Sequence, residues 1–383
     1  MKVNGKVLFS LVSLLFSFSL CVTPAKAEPL KPLSGVFSLL PLNNIPSDLT
    51  ELGSPDVTGI SARFTWSAIE PSPGVYDWRA IDRAISKAQS SGKKLMLRIS
   101  AGIYSPKWLY KSGVPTIGAV TAPVNYEEPN PQRQTLAASL VTSPIVWDHT
   151  YLHYWERLIK NLGQRYDGNP VIVSIQMTGG GVTAEMTLYT QQFDWLSRGY
   201  SDEIMISTWK FIIDAYQANF PTTLTNLNIL EPIRGVSHVV DPVVDYCLSL
   251  YPGKVSIQNN GLNARGAACL STIQRAALLT QVGYQMSGGN GWLSETVGDR
   301  EQAFIYALTN GATYVEVYHT DLIDETYASD VHLLSQGLVQ NYQSMVENLS
   351  PEASFDKALL TRATLPGEVI SKQTRNTSLR SKK

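Results

Sequence analysis

Short apolar segments alternate along the chain with segments whose apolar residues follow helical spacing, as at Ile81, Ala84 and Ala88. The apolar segments are rich in β-branched and aromatic residues, which favour strands. Predicted strands cover residues 35–40, 60–66, 94–99, 171–177, 224–230, 254–258, 282–286 and 313–318, and predicted helices cover residues 78–90, 148–166, 204–218, 239–250, 270–279, 299–310 and 330–346. This alternation predicts a parallel sheet with right-handed crossovers.

Eight strand–helix units over roughly 320 residues predict an α/β fold of the (β/α)₈ TIM-barrel type, a single domain with a long loop after the third strand. A doubly wound sheet is the alternative, but no glycine-rich phosphate-binding turn follows the first strand. Gly179-Gly180-Gly181 lacks the Lys-Ser/Thr of a P-loop and is interpreted as a permissive turn. The long loop, residues 100–146, is expected either to form a wall of a binding cleft or to be a surface insertion.

The two ends of the chain differ in composition from its body. Lys2 and Lys6 precede an apolar run over residues 7–22, and Ala25-Lys26-Ala27 follows it. This pattern predicts a signal peptide over residues 1–27, cleaved after Ala27, with an uncleaved membrane anchor as the alternative. We therefore expect a secreted or periplasmic protein without stable membrane insertion after cleavage. Its barrel domain would cover residues 28–350, and the polar tail, residues 351–383, would be disordered.

Charge and cysteine content narrow the classes of ligand. The net charge is −1, from 31 Lys+Arg and 32 Asp+Glu, so the chain lacks the basic footprint of a nucleic-acid-binding protein. Both ends are net positive, +3 over residues 1–27 and +4 over residues 365–383, which leaves an acidic body suited to a neutral or polar small molecule. After signal removal Cys247 and Cys269 remain; they are either a disulfide or two buried thiols, and without a nearby histidine pair they do not form a zinc site.

The carboxyl ends of the predicted strands carry many amide, carboxylate and indole side chains. They are Arg63, Trp66, Glu70, Arg98, Tyr104, Trp108, Gln176, Glu185, Asn228, Glu231, Gln258, Asn259, Asn260, Gln285, Asn290, Trp292, Glu316, Tyr318, His319 and Asp321. In a barrel these ends form the functional face. Carbohydrate sites use this mixture, because sugars offer hydroxyls to planar polar groups and C–H faces to aromatic rings. No Gly-x-Ser-x-Gly elbow is present, and no metal-ligand spacing accompanies His319 and Asp321, so neither a serine hydrolase nor a metal site is expected.

One motif points to a family. The stretch Phe64-Thr65-Trp66-Ser67-Ala68-Ile69-Glu70-Pro71, followed by Pro73-Gly74-Val75-Tyr76-Asp77-Trp78, resembles the second-strand signature of clan A glycoside hydrolases. It is most similar to the family 42 β-galactosidases and their relatives, and the similarity is strong over residues 60–109. Much of this motif builds the loop between a strand and a helix, and a structural role is expected for Glu70.

The resemblance implies two catalytic carboxylates, an acid/base Glu ending strand four and a nucleophilic Glu ending strand seven. The chain departs from both positions. Strand four ends without the usual Asn-Glu pair, and Glu185 arrives later, past the glycines, from where it could curl back as general acid. Strand seven carries Gln285 near the nucleophile position, and a glutamine cannot form a glycosyl ester. Glu316 on strand eight is the candidate second carboxylate, as nucleophile or base; in the alternative it is buried and satisfied by Arg98.

The sequence thus predicts a glycoside hydrolase acting on an oligo- or polysaccharide, with no cofactor implied. Arg98, Asn259, Gln285 and His319 would bind sugar hydroxyls or tune carboxylates, and Trp66, Trp108 and Trp292 would stack on sugar rings, although Trp66 fits the core equally well. A non-catalytic carbohydrate-binding barrel, motivated by Gln285, is the rival. A barrel that serves as a structural surface protein is the third possibility.

Overall fold

Eight parallel strands close into a barrel in the computed structural model, which describes residues 32–118, 142–188, 193–287 and 297–349. The strands are β1 (Gly35–Leu39), β2 (Val57–Thr65), β3 (Lys94–Ser100), β6 (Ile172–Met177), β7 (Leu224–Asn228), β8 (Val255–Leu262), β9 (Val282–Met286) and β10 (Ala312–Tyr318). Their order around the barrel is β1-β10-β9-β8-β7-β6-β3-β2. The predicted (β/α)₈ barrel is confirmed.

Helices surround the barrel. They are Trp66–Ile69, Arg79–Ser90, Lys107–Lys111, His149–Tyr166, Asp202–Asn219, Val240–Leu250, Leu270–Ala277, Arg300–Thr309, His319–Leu322 and Ala328–Leu349, with 3-10 turns at Thr50–Gly53, Gly102–Tyr104, Leu196–Arg198 and Glu325–Tyr327. The helix His149–Tyr166 starts where Asp148 accepts hydrogen bonds from the backbone N–H groups of Thr150 and Tyr151. Across the four described ranges, none of the helices combines the length and apolar character that a membrane span requires.

Most predicted elements lie within a few residues of their observed bounds, and two differences affect the site. The strand β8 runs to Leu262, four residues beyond its predicted end, so two asparagines expected at the rim belong to the strand. The loop after the third strand contains a short antiparallel ladder between β4 (Thr116–Gly118) and β5 (Thr142–Pro144). The predicted signal peptide and C-terminal tail fall outside the described residues.

The barrel interior changes from apolar to polar along its axis. Phe37, Met96, Leu224 and Tyr314 form a cluster with Leu33, separate from the large core that packs the strands against the helices. Side chains alternate faces along a strand, so the residues two positions later on these strands also point inward. On β3 and β10 those residues are Arg98 and Glu316, and the polar layer that they begin lies toward the carboxyl ends of the strands.

Candidate active site

An ion pair between Arg98 and Glu316 lies at the centre of the polar layer. Arg98 Nη2 donates to Glu316 Oε2 at 2.8 Å, and both side chains are buried. Arg98 Nη1 donates to Gln285 Oε1 at 3.0 Å. Ser61 Oγ donates to the other carboxylate oxygen, Oε1, at 2.5 Å. Glu316 and Gln285 are register partners on β10 and β9, so the guanidinium spans a carboxylate and an amide that lie side by side.

Glu185 reaches the same layer because the segment after β6 folds back on itself. The backbone N–H of Val182 donates to Thr187 O at 3.0 Å, which closes a tight loop around Glu185. A Cβ atom on Gly181 would lie 1.8 Å from Glu185 O, so only glycine permits this approach. Gln176 Nε2 donates to Ala184 O at 3.2 Å and fastens the loop to the end of β6. The predicted permissive turn therefore positions a half-buried Glu185 at the carboxyl end of the barrel.

Two amides connect Glu185 with Glu316. Asn260 Nδ2 donates to Glu185 Oε1 at 2.9 Å, and Gln258 Nε2 donates to Asn260 Oδ1 at 2.8 Å. The same Gln258 nitrogen donates to Glu316 Oε2 at 2.9 Å. Both candidate carboxylates thus belong to one hydrogen-bonded network across the barrel interior.

The three tryptophans predicted to stack on sugar rings differ in their surroundings. Trp66 is fully buried, packs edge-on against Trp108 and Trp155, and donates from Nε1 to Glu70 Oε2 at 2.8 Å. Its predicted stacking role is wrong, because a ring enclosed on all sides offers no face to a sugar. Trp108 is half-buried and donates to the backbone oxygen of Glu70 at 2.9 Å. Trp292 lies outside the described residues.

Glu70 has the structural role expected of it. It is fully buried, and its Oε1 accepts from the backbone N–H of Gly74 at 2.7 Å and from the guanidinium of Arg157. Since Trp66 holds its other oxygen, both oxygens are satisfied within the loop that follows β2.

Two predicted sugar ligands are engaged elsewhere. Asn259 Nδ2 donates to Ile229 O at 2.9 Å, and its Oδ1 accepts from the backbone N–H of Gly261 at 2.8 Å. This amide fastens backbone segments together and does not join the network. His319 Nδ1 lies 2.8 Å from Oε1 of the buried Glu51, in the connection between β1 and β2.

Gln258, Asn260 and Asn228 were placed on the rim but not selected as site residues, and Ser61 was not singled out from the sequence. The first two flank Asn259, and strand alternation within a longer β8 would have identified them as the inward pair. Ser61 and Asn228 follow from the same alternation on β2 and β7. Among the described residues no group of three His, Cys, Asp or Glu side chains is arranged to hold a metal ion.

Cys247 and Cys269 are free thiols in the structure, so the disulfide alternative is not realised there. Cys247 is buried within the helix Val240–Leu250, and burial raises the pKa of its thiol well above the ordinary value. Burial also raises the pKa of the Cys269 thiol, to about 11. Burial thus disfavours the thiolate form of both sulfurs.

Comparison with known proteins agrees with the motif after β2. Residues 39–209 match the model of glycoside hydrolase family 42, described as β-galactosidase. The barrel is similar to the catalytic domain of β-amylase from Paenibacillus polymyxa, with a TM-score of 0.52 and 10% identity over 83% of this chain and 99% of that chain. It is also similar to β-galactosidase from the psychrophilic Marinomonas ef1, with a TM-score of 0.50 and 13% identity.

That second similarity covers 79% of this chain and 59% of the Marinomonas chain, so this chain spans little more than half of that β-galactosidase. At such identities the structural matches establish the fold alone. The family model adds the sequence pattern over residues 39–209, which includes the motif at residues 64–78. The chain is thus a (β/α)₈ barrel that resembles the clan A glycoside hydrolases, family 42 in particular, and the family match supports a glycoside hydrolase.

Proposed function

We propose that this chain hydrolyses O-glycosidic bonds in an oligo- or polysaccharide, with Glu185 as the general acid. The carrying observation is the position of Glu185, a half-buried carboxyl at the functional end of the barrel, oriented by Asn260 and Thr183. A general acid must be held within reach of the leaving oxygen while remaining accessible to substrate. A half-buried carboxyl whose two oxygens each accept a hydrogen bond meets both requirements. Its proton passes to the glycosidic oxygen as the bond to the sugar breaks.

Glu316 remains the candidate for the second carboxylate, as nucleophile or base. Its two oxygens accept from Arg98, Ser61 and Gln258, so a sugar carbon or an attacking water reaches it only after one of these donors moves. Hydrogen bonds in unliganded sites often rearrange when substrate binds. In this proposal the Ser61 hydroxyl is the donor that moves away, because among the described residues it is the one that donates to Glu316 Oε1.

The hydrogen bonds that occupy both oxygens of Glu316 also favour a second candidate function, a carbohydrate-binding barrel without hydrolysis. An ester to sugar or a proton on Glu316 would remove the negative charge that faces the buried guanidinium of Arg98. Gln285 stands at the position where the resemblance implies a nucleophile, and an amide cannot replace it. Both functions place the sugar at the carboxyl ends of the barrel strands, and they differ in whether hydrolysis releases a product.

We further propose that residues 1–27 direct export and are removed after Ala27, on the support of Lys2, Lys6 and the apolar run that follows them. A substrate of polysaccharide size is consistent with an exported enzyme. N-terminal sequencing of the protein secreted by its host tests this part, and a mature chain that retains Met1 would overturn it.

Product release from plant, algal and bacterial polysaccharides tests hydrolysis. We predict that Glu185→Gln lowers the rate of release at least a hundredfold, since general acid catalysis contributes about 10²–10⁴-fold, while saccharide binding is retained. The matched control is Glu347→Gln, an exposed glutamate on the helix Ala328–Leu349, which should leave the rate unchanged. Release that survives in Glu185→Gln would contradict its role, and saccharide binding without any release would favour the non-catalytic barrel.

A further inference from the structure

An open groove lies on the outer wall of the barrel, between the connection that follows β1 and the helix Arg79–Ser90. Its volume is about 480 Å³, and cavities of this size hold small organic ligands such as a sugar residue. Residues 43–45 form one wall, and the other wall consists of Arg83, Ser86, Lys87 and Ser90. The groove is thus lined by residues separate from the network around Glu185 and Glu316.

Two cations line this groove without a counter-charge. The helix Arg79–Ser90 carries four charged side chains, and two of them, Arg79 and Asp82, form ion pairs with residues outside the helix. Arg83 and Lys87, one turn apart, form no ion pair with any described residue. Like charges at positions i and i+4 repel each other, and an anion bound between them would remove that cost.

The donors of this pair suit an anionic group that has several oxygens. The Arg83 guanidinium presents a planar fork of N–H groups, and the Lys87 ammonium presents three further donors. Carboxylate and sulfate oxygens accept from such donors, and charge makes these hydrogen bonds shorter and stronger than neutral ones. Although the body of the chain is net acidic, this wall of the groove is therefore a local site for an anion.

The two serines of the same wall add acceptors for hydroxyl groups. Ser86 Oγ donates to Asp82 O at 2.9 Å, and Ser90 Oγ donates to Lys87 O at 3.0 Å. Because helix carbonyls take these protons, both hydroxyl oxygens keep lone pairs that accept from a ligand. A simple anion offers them no donor, whereas a sugar ring with a carboxylate or a sulfate ester supplies both the negative charge and the hydroxyl donors.

The opposite wall is anchored by Asn43. Its backbone adopts the left-handed conformation, with φ of 59°, which asparagine tolerates better than most residues. Its side-chain Oδ1 accepts from the backbone N–H of Thr65, the last residue of β2, at 2.8 Å. Asn44 and Ile45 follow directly on this anchored turn, so an exposed amide and a half-buried apolar side chain face the cations across the groove.

We propose that this groove binds an acidic residue of a polysaccharide, with its carboxylate or sulfate ester between Arg83 and Lys87 and its ring hydroxyls on Ser86 and Ser90. The inference goes beyond the proposed hydrolysis, because binding here uses neither candidate carboxylate. The groove begins beside the carboxyl end of β2, so a polymer at the functional end of the barrel can continue along this wall. This second contact would hold a long chain without taking part in bond cleavage.

Affinity electrophoresis in native gels that contain a polysaccharide tests the groove. The parent protein is the Glu185→Gln variant, which keeps the polymer intact, and the polymers are alginate, a polyuronate, and λ-carrageenan, a sulfated galactan. We expect at least one of them to retard the parent, and the one that does identifies the carboxylate or the sulfate ester as the bound group. Added Arg83→Gln/Lys87→Gln should lower the affinity at least tenfold.

The matched control removes the same charge at the same spacing elsewhere. Lys107 and Lys111 are exposed, lie at positions i and i+4 on the helix Lys107–Lys111, and do not line the groove. Lys107→Gln/Lys111→Gln should therefore leave the affinity unchanged. Equal affinities in the groove variant and the parent overturn the site, as does an equal loss in the lysine control or the absence of retardation by both polymers.

The serines separate recognition of a sugar from attraction of charge. Ser86→Ala/Ser90→Ala should weaken binding of the acidic polysaccharide several-fold, because two hydroxyl acceptors are lost. Polyacrylate, a polycarboxylate without sugar rings, should bind the parent more weakly, and the serine variant should bind it as the parent does. Polyacrylate that binds the parent as tightly as the polysaccharide would show a site for charge alone and overturn the assignment to a sugar.

Retardation and product release are separate measurements, so the two proposals fail separately. In the chain that retains Glu185, Arg83→Gln/Lys87→Gln should release product from a short neutral oligosaccharide at the unchanged rate. Hydrolysis is judged by the Glu185→Gln comparison alone. Retardation that depends on Arg83 and Lys87, without product release from any substrate, supports the groove in a non-catalytic barrel.

Discussion

Two polar regions of this barrel differ in how completely their buried groups are satisfied. In the loop after β2, Glu70 accepts from Trp66, Gly74 and Arg157, and no oxygen of its carboxylate is left without a donor. In the interior along β7 and β8, Asn228 and Gln258 keep unpaired atoms although they are equally buried. The first region carries the motif that resembles the family, and the second adjoins the hydrogen-bonded network that holds Glu185 and Glu316.

This difference in hydrogen bonding indicates which of the two regions has the capacity to bind a ligand. A fully satisfied buried cluster stabilises one conformation and has no hydrogen-bonding capacity left for a ligand. An incompletely satisfied cluster costs stability unless a ligand completes it. The motif at residues 64–78 therefore identifies the fold through its architecture, while the carboxylates that we propose as catalytic lie at the carboxyl ends of other strands.

The largest effect is expected at the ion pair under the site. Arg98→Met should destabilise the protein by about 3–5 kcal/mol, because it leaves Glu316 buried without a counter-charge. Arg165→Met is the control, since its pair with Asp82 is solvent-exposed and should contribute about 1 kcal/mol or less. Urea unfolding measures both. Equal losses in the two variants would mean that burial of the central pair carries no special cost.

A backbone change should separate the position of Glu185 from its chemistry. Gly181→Ala places a methyl group 1.8 Å from Glu185 O, so the folded-back loop must shift. We predict a stability loss of about 1–3 kcal/mol and at least a tenfold slower product release. At Gly53 an added Cβ meets nothing within 4 Å, so Gly53→Ala is the control and should be close to neutral. Unchanged release in Gly181→Ala would contradict the positioning role of this loop.

The smallest effect is expected at Trp66, within the family motif. Trp66→Phe removes the hydrogen bond to Glu70 and part of a buried ring, with an expected loss of about 1–2 kcal/mol. Because Trp66 does not face the cleft, KM for the substrate should be unchanged, and steady-state kinetics checks this. A several-fold rise in KM with little change in stability would restore the stacking role and weaken the contrast between the two regions.

The fold could be predicted because its signal is repeated eight times. Each strand and each amphipathic helix carries its own periodicity, and an error of two or three residues at one boundary leaves the topology intact. The position of Glu185 also followed from local chemistry, since three consecutive glycines allow the chain to turn back after β6.

The candidate site was harder to predict than the fold, because it depends on which face of a strand each individual side chain occupies. Ending β8 at Gln258 placed Asn259 on the rim, whereas the strand continues to Leu262 and alternation turns Gln258 and Asn260 inward instead. A displacement of one position reverses the face of a side chain. His319 was harder to predict for another reason, because its partner Glu51 comes from a distant part of the chain. Trp66 bonds to Glu70 only four residues later, but the rings that enclose it, Trp108 and Trp155, come from other elements of the fold.

The most direct measurement determines the unfolding free energy and the rate of product release for Glu70→Gln and Glu185→Gln side by side. We predict that the two variants diverge. Glu70→Gln should lose about 3 kcal/mol of stability with an almost unchanged rate per folded molecule, and Glu185→Gln should lose the rate with an almost unchanged stability. If Glu70→Gln instead abolishes release while remaining stable, the chemistry lies in the loop after β2, and the division between architecture and active site is contradicted.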